Sequence, residues 1–390
     1  PHHQRLDDGN SAKRGIMGSG NCRATAMSRF LIVFPCDTLA YSPTTLNIAE
    51  MLADIGDVDM ITLWDARNRS AAENLKCRFF YVRIPSLARR ILQHFLRLYG
   101  ALKALLLFLK LRLHKGHYDL IFAVDSLGYY VTRRVYSENV IYVSLEIYDD
   151  IWLALTKKAG VKMLLIQSEL RKRFLFGDAP VPFKILPNSN RQMPPSEPRA
   201  QKGFHLIYMG AIYPVHGVEF CIDALPVLPE SFTLTLKGVL SERYRTILTK
   251  KYGALLASGR LKIDSSYTPQ EEVAEYLRAF DAGLCFYDIE GKLRGDFNYI
   301  SCPSGKMYSY FAAGIPMLGQ DVPGLQEVLH YGAGVLIKNL SPDGMAEGLR
   351  ELFDDYAQFA EGAMRAGRAL CFTPHFKNIL AELLEDVNSE

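Results

Sequence analysis

A chain of 390 residues is long for one hydrophobic core, and two domains are expected. Apolar residues make up 49% and charged residues 22%, which excludes a disordered composition. The 45 basic and 42 acidic side chains leave a formal net charge of +3, which argues against a nucleic-acid partner, since such binders carry a concentrated basic excess.

The first 27 residues lack both an apolar period and the run of about 7–15 apolar residues that a secretory signal needs. They read as a disordered leader, a tag remnant or an over-extended start. Phe30 to Phe34 is a short, continuously apolar run, as expected of a parallel strand buried on both faces. Thr44 to Ile55 has helical spacing, and Val58 to Leu63 reads as a strand. Leu96 to Leu113 is the most apolar stretch, but Lys103, Lys110 and Arg112 interrupt it, so it falls short of a spanning helix of about 18 apolar residues. Two readings stay open: a basic amphipathic helix touching an anionic membrane through residues 89–115, or a core-packed helix preceding a strand. Tyr118 to Val124, Val140 to Leu145, Met163 to Ile166 and Lys184 to Leu186 are further strands.

Residues 187–203 are rich in proline and polar side chains and lack a period, which marks the domain boundary. A second alternating series follows. Strands are expected at Phe204 to Met209, Phe232 to Lys237, Leu261 to Ile263, Ala282 to Phe286, Ile315 to Leu318 and Val335 to Ile337. Helices are expected at Val218 to Leu225, Arg243 to Leu256, Gln270 to Ala279, Lys306 to Ala313 and Asp343 to Phe353. The architecture is therefore α/β, with two doubly wound, Rossmann-like halves: residues 28–190, a linker at 191–203, residues 204–375, and a C-terminal helix at 376–390, a candidate to cross back to the first half. Seven scattered cysteines without a C-x-x-C pair read as reduced thiols in a cytoplasmic protein. No DxD stands at a strand end and the histidines lack ligand spacing, so no metal or other cofactor is expected. His205 reads as a core histidine.

In open α/β sheets, ligands bind beyond the carboxyl ends of the strands. Gly210 and His216-Gly217 form the first such turn of the second half, a tight approach to a helix start that suits an anion. Ser304 and Gly305 offer amides at another helix N-terminus, and Lys306 adds a charge beside them, a cradle for a diphosphate. Met307, Tyr310 and Phe311 have core spacing. In the first half, Asp125 and Glu146 end strands and are candidates to orient an acceptor hydroxyl or take its proton; Asp37 is a weaker candidate, and Asp149 and Asp150 suit a solvated turn.

The segment Cys302-Pro-Ser-Gly-Lys306 to Pro316 resembles the P-N-K-L-x-E-Y-M-A-A-G-K-P-V pattern of retaining glycosyltransferases of family four, matching at Pro303, Lys306, Tyr310, Ala312, Ala313, Gly314 and Pro316. Leu206 to Glu219, Glu272 to Ala282, Gly319 to Gly334 and the Leu186-Pro187-Asn188 turn are similar to that family's flanking segments, closely over 204–375 and loosely over 28–190. The resemblance implies the GT-B fold, with an acceptor domain first and a nucleotide-sugar domain second. It implies transfer of a sugar from a nucleotide-diphosphate donor to a saccharide or lipid-linked acceptor with retention, in a cytoplasmic or peripherally membrane-bound enzyme. Catalytic roles fall to Glu146, Asp125 and Lys306, and donor binding to Gly210, His216, Lys237, Tyr267, Ser304, Gly305, Lys306 and Ser309. The family's two glutamates correspond to Ser301 and Ser309, and His216 stands where a basic residue faces the diphosphate. Those departures leave two alternatives: an inactive GT-B protein that acts as a binding partner, or a nucleotide-sugar epimerase or hydrolase.

Overall fold

The computed structural model describes residues 27–389 except 74, 93, 94, 199, 290, 292 and 302. The expected leader, Met27 apart, lies outside the described residues, as do Cys22 and Cys302. Two parallel sheets form two domains. The first has seven strands: β1 (Ser28–Phe34), β2 (Gly56–Leu63), β3 (Arg78–Val82), β4 (Leu120–Val124), β5 (Val140–Ser144), β6 (Leu164–Ile166) and β7 (Phe183–Ile185). Their order is β3-β2-β1-β4-β5-β6-β7, so the winding reverses between β1 and β4. The second has six: β8 (Phe204–Met209), β9 (Phe232–Lys237), β10 (Leu261–Asp264), β11 (Ala282–Cys285), β12 (Met317–Gln320) and β13 (Gly334–Ile337). Their order is β10-β9-β8-β11-β12-β13, with the reversal between β8 and β11.

Helices cover both faces of each sheet, and the central strands are accordingly apolar throughout; every residue of β4 and β5 is buried. β3 is the strand that the sequence pattern does not announce. It pairs with β2 at the sheet edge and is only partly buried, so neither a continuous apolar run nor a clean alternation marks it. The expected helix over 243–256 is two helices, Glu242–Lys251 and Gly253–Ala257. His205 is exposed near the start of β8, where Phe204 too is only partly buried, and its ring lies against Thr233, so the core expectation is corrected.

The last helix, Phe372–Ser389, packs on the first domain. Phe372, Phe376, Ile379, Leu380 and Leu383 share a core with Phe30, Ile32 and Phe122, and the Phe376 and Phe122 rings lie 5.9 Å apart. Each such side chain, fully buried, contributes about 1.5–3 kcal/mol. The chain thus crosses the domain junction twice, near residue 190 and near residue 371, where the Phe372 amide donates to the Asn190 carbonyl.

Candidate active site

The carboxyl edges of the two sheets face each other. The Ile147 amide, beyond β5, donates to Asn298 Oδ1 at 2.9 Å, and Asn298 Nδ2 returns a 2.9 Å bond to the Ile147 carbonyl. This reciprocal pair joins the loop after β5 to the helix Phe297–Ser301 of the second domain.

On the second-domain side the central element is the helix Gly305–Ala313. Ser304 caps it in extended conformation, its Oγ accepting the Lys306 amide. Met307, Tyr310 and Phe311 are fully buried. The Tyr310 hydroxyl accepts the Met209 amide at 3.1 Å and lies 3.1 Å from the Leu284 carbonyl, so it pins the helix where β8 and β11 part. Gly314 ends the helix at φ +69°, a conformation that favours glycine.

The first turn of that helix gathers polar groups. Tyr287 and Ser304 hydroxyls meet at 2.8 Å, and Lys306 Nζ donates to the Tyr287 hydroxyl at 3.3 Å. The Lys306 ammonium lies over the Tyr287 and Tyr208 rings, at 4.8 and 5.3 Å from their centroids. Gly210 has φ +142°, and a Cβ there would stand 2.8 Å from Lys306 Cε, so glycine both makes the turn and lets the lysine cross the end of β8. His216 Nδ1 lies 2.8 Å from the Ala211 carbonyl and therefore carries the proton, which leaves Nε2 as the acceptor of a neutral ring. Burial holds its pKa below the ordinary value, and the Lys306 charge lowers it further. Its ring lies 5.9 Å from Tyr299 and 6.0 Å from Tyr287.

On the first-domain side, Asp125 follows β4 directly and starts the next helix at φ +53°, rare for a non-glycine residue. Its Oδ1 accepts the amides of Leu145 and Glu146 at 2.8 and 2.9 Å, which offsets that strain and fixes the β5 loop. Burial pushes its carboxyl up to about 7. Glu146 stays open to water within the junction, but surrounding protein raises its pKa, with Asp296 adding to the effect and Arg171 opposing it.

Arg171 is fully buried and was not visible as a site residue in the sequence. Its guanidinium donates to the Leu145 carbonyl at 2.9 Å, to Asn298 Oδ1 at 3.2 Å and to Ser301 Oγ at 3.2 Å. It thereby clasps both domains beneath Glu146. Ser301 donates in turn to the Phe297 carbonyl, and Ser309 to the Gly305 carbonyl, so both serines bond back onto their own helix. Asn190 reaches Ser309 Oγ at 3.4 Å, which brings the domain crossover beside the helix start.

The structure brings Gly210, His216, Ser304, Gly305 and Lys306 together, with Glu146 across the junction. The Tyr299 ring lies beside this cluster, 5.4 Å from Tyr287 and 5.9 Å from His216. Lys237 is buried, and its ammonium donates to Asp264 Oδ2 at 2.8 Å and to the carbonyl and hydroxyl of Ser266. Tyr267 stands 88% exposed on the loop after β10, away from the cluster's hydrogen bonds. Asp37 pairs with Arg89 at 2.7 Å, and Asp150 caps the helix Ile151–Ala159. Among the described residues, no group of three His, Cys, Asp or Glu side chains is placed to hold a metal ion.

Solved structures share this fold over nearly the whole chain. HepE from Anabaena, solved in complex with UDP-glucose, superposes with a TM-score of 0.67 at 16% identity, covering 93% of this chain and 100% of that one. The fold is GT-B. A glycosyltransferase from Rickettsia africae gives 0.66 at 10% identity over 92% of this chain and 98% of its own. An α,α-trehalose 6-phosphate synthase from Burkholderia multivorans gives 0.63 at 11% identity over 93% and 99%. No protein-family model matches the chain, and no curated protein matches it by sequence.

Proposed function

We propose that this chain is a glycosyltransferase that moves a sugar from a nucleotide-diphosphate donor to a saccharide or lipid-linked acceptor, with retention as the family-four resemblance implies. The observation that carries this reading is the cluster at the start of the helix Gly305–Ala313, where Ser304, Lys306 and His216 converge beyond β8 and β11. Negative charge grows on the leaving diphosphate as the glycosidic bond breaks, and prearranged amides and a lysine offset it. Lys306 supplies the full charge, the Ser304–Gly305 amides supply donors, and Gly210 leaves room for the phosphate. His216 Nε2 takes up a proton beside the diphosphate. Tyr267 lies along the base. Glu146 orients the acceptor hydroxyl and receives its proton, and Asp125 acts through it by holding its backbone. No metal ion enters this reading. The neighbours solved with UDP-glucose and UDP support the choice of donor class.

The test is a thermal-shift panel of UDP-, GDP-, ADP- and TDP-sugars. A ligand that binds only the folded chain raises its melting temperature by mass action, so one responding base is expected. A flat response at millimolar donor would overturn the reading. A second reading, a non-catalytic binding partner, draws on Ser301 and Ser309, whose hydroxyls serve their own helices where carboxylates would engage ligand hydroxyls. Donor binding without release of nucleoside diphosphate would favour it. Donor consumed without any acceptor would instead favour the epimerase or hydrolase.

A further inference from the structure

The helix Leu96–Leu113 has two apolar faces where a surface helix needs one. Leu107 and Leu111 are fully buried against the first sheet. On the opposite side Leu98, Leu105, Leu109 and Leu113 are 58, 54, 47 and 79% exposed, at spacings of seven, four and four that keep them in one stripe. The preceding helix, Ser86–Leu92, adds Leu87 and Ile91, at 69 and 52% exposure. Contiguous exposed apolar surface of this kind marks an interaction site. Among the described residues no helix is long and apolar enough to cross a membrane.

The charge around the stripe is one-sided. Between Glu73 and Asp119 the sequence has no acidic residue and ten Lys or Arg: Lys76, Arg78, Arg83, Arg89, Arg90, Arg97, Lys103, Lys110, Arg112 and Lys115. Lys103 and Arg112 lie along the rings of Tyr99 and Phe108 on their own helix, the posture of long cations whose stems cover apolar surface. Arg78 and Arg89 are paired, with Asp59 and Asp37; the leucines of helix 96–113, flanked by Lys103, Lys110 and Arg112, complement an anionic lipid surface, whereas protein interfaces are depleted in lysine.

The face adjoins the site. Gly100 packs against the Trp152 indole, where a Cβ would lie 3.1 Å from Nε1, which ties the helix to the segment following Glu146. Arg89 pairs with Asp37 beyond β1. On that same segment Tyr148 and Ile151 are 50 and 60% exposed, with the exposed Asp149 and Asp150 between them. We infer that helices 86–92 and 96–113, with Tyr148 and Ile151, dock the protein on an anionic bilayer with the Glu146 mouth at headgroup level. The docking stands on this face alone; its bearing on the acceptor, a lipid-linked one, rests on the functional reading above.

The full chain is sedimented with vesicles of phosphatidylcholine alone and of phosphatidylcholine mixed with phosphatidylglycerol, at low and high NaCl. Binding to the mixed vesicles, weakened by salt and at least about tenfold weaker to the neutral ones, is expected. Leu105→Asp with Leu109→Asp should abolish it without moving the donor-induced thermal shift, and Lys110→Gln with Arg112→Gln should weaken it several-fold. No binding to the mixed vesicles, or equal binding by both variants, overturns the inference, as does a dimer in light scattering that the aspartates disperse. A donor shift without vesicle binding sinks the docking alone, and vesicle binding without a donor shift sinks the glycosyltransferase reading alone.

Discussion

The two domains have one topology and opposite chemistry. Each is a parallel sheet whose winding reverses beside its first strand, and each presents the carboxyl ends of its central strands to the other. At the second sheet that edge holds cation and hydrogen-bond donors: Lys306, the capped helix start, and the Tyr287 and Ser304 hydroxyls. At the first sheet it holds carboxylates, the buried Asp125 and the more open Glu146, whose protons the surrounding protein makes harder to remove. A polyanion belongs with the first set, and a hydroxyl that must give up a proton belongs with the second. In such folds the sheet's carboxyl edge is where ligands bind, and on the proposed function the turn residues would decide which ligand goes where.

The comparison breaks most visibly at Lys306. Lys306→Ala should cut release of nucleoside diphosphate from the responding donor by about 100-fold or more with an unchanged far-UV spectrum; unchanged turnover would remove the lysine from the mechanism. Glu146→Gln keeps shape and loses basicity, so turnover should fall about 100-fold while the donor's thermal shift stays in place. A lost thermal shift would assign Glu146 to the donor instead. Arg171→Leu should cost about 2 kcal/mol in urea unfolding, because the Leu145 carbonyl and Asn298 lose a charged donor in a buried place.

Asp125 sharpens the contrast through pH. Its carboxyl is lifted from 3.8 to about 7 by burial, so the folded state holds its proton more tightly than the unfolded chain does. That contribution is complete below about pH 4 and is lost as pH rises toward 7. Asp125→Asn retains an acceptor for both amides, and its stability should decline less over that window than the parent's. The smallest effect concerns His216, held neutral by burial. Diphosphate affinity should rise a few-fold as pH falls below the ordinary imidazole value, toward the lowered pKa of the free chain, because the bound anion favours the protonated ring; His216→Gln should flatten that rise.

Strand-by-strand alternation made the α/β architecture legible, because fully buried parallel strands are continuously apolar: β4 and β5 stand out on composition alone. β3 did not, since an edge strand with one open face carries no such run. The cluster at the start of the helix Gly305–Ala313 was equally visible as a local feature, because Ser304, Gly305 and Lys306 are consecutive. The junction was not. Arg171, Asn298 and Ser301 meet across 127 and 130 residues of sequence, and no spacing rule connects them. The surroundings of Lys237 were hidden for the same reason: Asp264 and Ser266, which accept from its ammonium, lie on and beyond the adjacent strand, 27 and 29 residues away.

The most direct test of this division of labour is calorimetric titration of the parent chain and of Lys306→Ala with the nucleoside diphosphate whose sugar responds. The account predicts saturable binding to the parent and at least about tenfold weaker binding to the variant, in keeping with loss of one charge-assisted contact. Equal affinities would show that the diphosphate does not lie at the start of the helix Gly305–Ala313.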